Sequence, residues 1–81
     1  MPVVFRYKGY RFFFYSNEGE PLEPLRIHVR KGESVAKFWV HPQISVAESY
    51  GIKSSELRTL MKVITENREL IERCWNEYFD L

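Results

Sequence analysis

The apolar positions of this chain change period once, near residue 42. Before that point they recur at every second residue, and after residue 54 at steps of three and four. Val3–Tyr7 alternates Val3, Phe5 and Tyr7 with Val4 and Arg6, which predicts a first strand over 3–7. Lys8-Gly9 then reads as a two-residue hairpin turn into a second strand over 10–16. There Tyr10, Phe12 and Phe14 oppose Arg11, Phe13 and Tyr15. A loop containing Gly19 and Pro21 follows, and Pro24 stiffens the entry to a third strand over 25–30. Leu25, Ile27 and Val29 point to a core in that strand, while Arg26, His28 and Arg30 share the other face. After the turn Lys31-Gly32-Glu33, a fourth strand over 34–40 sets Ala36, Phe38 and Val40 against Val35, Lys37 and Trp39. Pro42, which has no amide hydrogen for a ladder, ends the sheet.

Ser45-Val46-Ala47-Glu48 fits a capping box and predicts a short helix over 45–50 that closes at Gly51. Ser54 then caps a long helix over 54–79. Its stripe is Leu57, Leu60, Met61, Ile64, Ile71, Trp75 and Tyr78, widened by Val63, Leu70 and Cys74. Such a stripe needs an apolar sheet face to cover. The expected architecture is therefore α+β: a four-stranded antiparallel sheet followed by a short helix and a long C-terminal helix packed on one sheet face. With 81 residues the chain is expected to form a single domain, 1–81.

Composition narrows the class of protein. At 44% hydrophobic and 28% charged it matches an ordinary globular domain. No apolar run reaches the roughly 18 residues of a membrane span, and no export signal opens the chain, so a cytoplasmic protein is expected. Cys74 is the only cysteine, which excludes a disulfide framework or a CxxC metal pair. No metal site or cofactor is expected, because the two histidines and the loop glutamates lack ligand spacing. The net charge of +1 hides an asymmetry: residues 1–41 carry seven Lys/Arg against four glutamates, and residues 42–81 five against seven acids. One part suits an anionic ligand, the other solvent or a basic partner.

With the helix on one side, the opposite sheet face would present Arg6, Arg11, Phe13, Tyr15, Arg26, His28, Arg30, Lys37 and Trp39, with His41 at the rim. Guanidiniums interleaved with flat rings suit RNA, the cations meeting phosphate and the rings stacking unpaired bases. The same arginines could serve solubility alone, and Phe13 and Trp39 could pack under a loop or in a homodimer. Candidate chemistry centres on His28. An imidazole can take a proton from a ribose 2′-hydroxyl while Arg26 and Arg30 stabilise the charge growing on phosphate oxygens. Tyr15 or His41 could be the acid if strand order brings one near.

Several motifs in order resemble one family. They are Arg11-Phe12-Phe13-Phe14-Tyr15-Ser16, Glu23-Pro24 leading into Ile27-His28-Val29, Ala36-Lys37-Phe38-Trp39, and the closing Trp75-Asn76-Glu77-Tyr78-Phe79. The chain is similar to a small bacterial family of unknown function that opens with Met-Pro and carries an RFFFYS strand. That resemblance spans essentially the whole chain and implies the toxin half of a two-gene toxin–antitoxin module, partnered by a small antitoxin encoded nearby. A ribonuclease activity is inferred from the basic, His-bearing face and not from the family. Two departures stand out: the family usually has His where Arg26 stands, and an acidic residue where His41 precedes Pro42. If the paired histidines form an acid/base couple, Arg26 leaves half of it missing and cutting impaired. The alternatives are a non-enzymatic protein-interaction module, such as the antitoxin or adaptor of the pair, and a simple nucleic-acid-binding domain.

Overall fold

The computed structural model describes residues 3–15 and 24–79. The expected loop after Tyr15, with Glu18, Glu20 and Glu23, and the end of the expected second strand at Ser16 lie outside the described residues. The elements are β1 (Val3–Tyr7), β2 (Tyr10–Phe13), β3 (Arg26–Lys31), β4 (Ser34–Trp39), β5 (Ser45–Tyr50), α1 (Ser54–Glu66) and α2 (Arg68–Phe79). The strands form one sheet in the order β1-β2-β3-β4-β5, and every neighbouring pair is antiparallel. The class is α+β, as expected, with five strands instead of four.

The additional strand is the segment read as a capped short helix. A six-residue helix gains too few ladder bonds to offset its nucleation. Ser45–Tyr50 instead pairs with the outer side of β4, from Trp39↔Ser45 to Val35↔Tyr50. Val46 and Tyr50 favour that state, since branched and aromatic side chains suit a pleated surface. The register shifts between Lys37↔Glu48 and Phe38↔Val46, so Ala47 is an extra residue that bends the edge. Glu48 is thereby set beside Lys37 rather than on a helix.

The long helix is also corrected, because it is interrupted at Asn67 (φ −111°, ψ 17°). The Asn67 side-chain amide donates to the Val63 carbonyl at 2.8 Å, a local bond that competes with the helical ladder. Nor does Ser54 cap α1: Lys53 holds that position, without a side-chain bond. Tyr78, expected on the buried stripe, is exposed.

Tyr10, Phe12, Phe14, Ile27, Val29, Ala36, Phe38 and Val40 join one buried cluster with Leu60, Val63 and Ile64 of α1 and Ile71 and Trp75 of α2. Phe5 stacks on Phe12 at 4.3 Å between centroids. Val3, expected on the same face as Phe5, pairs with Phe13, because a register shift between Val3 and Phe5 leaves Val4 as an extra residue. The β1–β2 turn is tight: Lys8 and Gly9 both have positive φ (46° and 85°), the signature of a type I′ hairpin. Beside it the Tyr10 hydroxyl donates to Glu56 Oε2 at 2.5 Å, tying β2 to α1. That hydrogen bond, then burial, then the carboxylate's charge push the Tyr10 phenol up from 10.0 to about 12.

Candidate functional site

Antiparallel pairing fixes which side chains meet. Arg6 lies opposite Arg11, and Arg11 opposite Arg30, so three guanidinium-bearing residues form one row across β1, β2 and β3. All three are exposed. Like charges directly opposite one another are unfavourable in a sheet, so this row raises the question of an anionic ligand. Arg30 Nε donates to the Gly32 carbonyl at 3.1 Å, which draws its guanidinium toward the hairpin. Among the described residues, neither Arg6 nor Arg11 has an acidic partner. Lys8 and Lys31 add charge at the same end, over the rings of Tyr7 and Tyr10 respectively.

Two residues along each strand, on the same face, runs a second row: Phe13↔His28↔Lys37↔Glu48 across β2, β3, β4 and β5. His28 is half-buried. Its ring stacks on Phe13 (5.7 Å, 27°) and meets Tyr15 edge-on (4.5 Å, 70°). Beside the row lies a cleft of about 320 Å³ whose lining includes His28, Lys37, Glu48, Tyr15 and Tyr50. Lys37 Nζ sits 4.9 Å from the centre of the Trp39 ring. The cleft therefore holds an imidazole, an ammonium and a carboxylate in register, edged by two phenols.

Several expected members stand elsewhere. Arg26, on this face by register, is only 6% exposed, and its guanidinium carbon lies 5.9 Å from the Trp75 ring of α2. Arg26 also donates to the Pro24 carbonyl at 3.3 Å. A guanidinium so enclosed is not presented to a solvent-borne phosphate as expected. Phe13, read as an open stacking ring, is buried as well. His41 is held against α2: Arg68 donates to Nδ1 at 3.1 Å, and Nε2 lies 3.0 Å from Glu72 Oε1. The two bonds assign the neutral tautomer with hydrogen on Nε2. Of the expected nucleic-acid-binding set, Arg6, Arg11, Tyr15, Lys37 and Trp39 lie on the one sheet face.

Glu48 and Tyr50 are the residues that sequence reasoning missed. The signal was the period-two spacing of Glu48 and Tyr50 ahead of Gly51, masked by the competing capping-box pattern. No group of His, Cys, Asp or Glu among the described residues is arranged to hold a metal ion. No helix of the described residues is long and apolar enough to cross a membrane.

Neither the curated proteins nor the solved structures contain a significant relative. Residues 9–76 match the domain of unknown function DUF4160, a description that assigns no activity or partner. The match takes in all of β2 through most of α2, and the chain belongs to the DUF4160 family.

Proposed function

We propose that this protein is the toxin component of a toxin–antitoxin pair and acts on RNA as a metal-independent endoribonuclease through its basic, His-bearing sheet face. One observation carries the reading: the exposed row Arg6–Arg11–Arg30 runs beside a cleft that contains His28 and Lys37. Arginine forks bind phosphate oxygens bidentately, and the ammonium of Lys37, a residue that lines the cleft, attracts the same charge. Tyr15 and Tyr50, 39% and 72% exposed, offer rings on which unpaired bases can stack. The reading takes α1 and α2 to cover the Phe12, Ile27 and Phe38 side of the sheet and to leave this face to the ligand. With Arg26 enclosed, phosphate contacts fall to Arg6, Arg11, Arg30 and Lys37.

The enclosure of Arg26 favours a second reading in which the protein binds RNA without cutting it. A growth experiment tests the module as a whole. Induction of this gene alone should arrest growth, co-induction of its operon neighbour should restore it, and His28→Ala should abolish the arrest. Normal growth on induction alone, with the protein present at full level, would overturn the toxin assignment.

A further inference from the structure

We infer that Glu48 is the second proton-transfer group of this cleft and works with His28 across Lys37 on a ribose phosphodiester. This rests on the RNA reading above and names the residues and the bond. Strands two places apart in a sheet have backbones about 10 Å apart, so the strand that carries Lys37 lies between those of His28 and Glu48. They stand on either side of Lys37, in one row and facing one cleft. A base and an acid separated in this way leave room for the reacting group between them, as paired carboxylates do in glycoside hydrolysis.

The step balances without a further reactant. The Glu48 carboxylate takes the proton of a 2′-hydroxyl, the freed oxygen bonds to phosphorus, and the bond from phosphorus to the 5′-oxygen breaks. His28 gives its proton to that departing oxygen. The products are a 2′,3′-cyclic phosphate and a 5′-hydroxyl. Lys37 holds the charge that grows on the non-bridging oxygens, and Arg11 and Arg30 hold a neighbouring phosphate of the strand. Glu48 thus takes the base role that sequence reading assigns to His28. It is exposed on the edge strand β5, so replacing it should spare the fold.

The test uses the full chain with an end-labelled single-stranded RNA and follows binding, cutting and the chemistry of the new ends. Wild-type protein should leave 2′,3′-cyclic phosphate ends. Glu48→Gln should cut about 100-fold more slowly while binding as tightly, and His28→Ala should behave likewise. Cutting by Glu48→Gln at the wild-type rate would overturn the inference and leave the RNA reading standing. Binding without any cutting by the wild type would also overturn it. Wild-type protein that fails to bind RNA would remove the underlying reading itself.

Discussion

Arg11 lies directly opposite Arg30 across β2 and β3, and Arg6 opposite Arg11 on its other side. Side chains in such positions have Cβ atoms about 5 Å apart, where like charges repel. A chain selected for stability alone would have no use for that arrangement. Arg11→Thr should therefore leave the fold unharmed or stabilise it by about 0.2–1 kcal/mol, while weakening RNA binding. Thermal melts paired with RNA titrations check both halves. A clear loss of stability with unchanged affinity would make the row a structural feature.

The Tyr10–Glu56 bond makes a prediction at high pH. The Tyr10 phenol is pushed up from 10.0 to about 12, so the folded state keeps its proton longer than the unfolded chain does. Its contribution is fully present below pH 10 and is lost as pH rises from 10 through about 12. Ultraviolet titration should find one of the five tyrosines ionising late. Tyr10→Phe should remove that late step and cost about 1 kcal/mol at neutral pH. Five indistinguishable titrations would contradict the bond.

His41 is fixed to Arg68 and Glu72 on α2 rather than aimed at the sheet face. Accordingly His41→Ala should lower stability by less than about 1 kcal/mol, since the group is half exposed. RNA affinity and cutting should stay within about twofold of wild type. A drop in cutting comparable to that of His28→Ala would return His41 to the active set.

Phe38 is fully buried in the cluster shared by sheet and helices, whereas Tyr50 on the neighbouring strand is 72% exposed. Phe38→Ala should cost about 3–5 kcal/mol, enough to unfold a domain of ordinary stability. Tyr50→Ala should change stability by no more than about 0.5 kcal/mol. Its effect should fall on RNA affinity instead. Denaturant melts separate the two.

The first four strands were legible because each is bounded by Gly or Pro and alternates, apart from the extra residue Val4 in β1, so Phe12, Ile27 and Phe38 fell to the core and Arg11, His28 and Lys37 to the other face. Segment 45–50 was misread because its capping pattern is local, whereas the strand is decided by the unfilled edge of β4, which no local pattern reveals. Asn67 was hidden by helical periodicity on both its sides. Arg26 escaped for another reason. Alternation fixes the direction in which its Cβ leaves the strand, but a long side chain can carry its guanidinium to the Trp75 ring of a distant element. The three-arginine row followed from register, which requires knowing which strands are neighbours.

The most direct measurement is the salt dependence of RNA binding by the wild type and by a variant with Arg6, Arg11 and Arg30 all changed to threonine. If these guanidiniums neutralise phosphates, the logarithm of the wild-type affinity should fall steeply and linearly with the logarithm of salt concentration. The variant's slope should then be smaller by about 2, at about 0.7 per phosphate contact on single strands. Equal slopes and equal affinities in the two proteins would contradict the account.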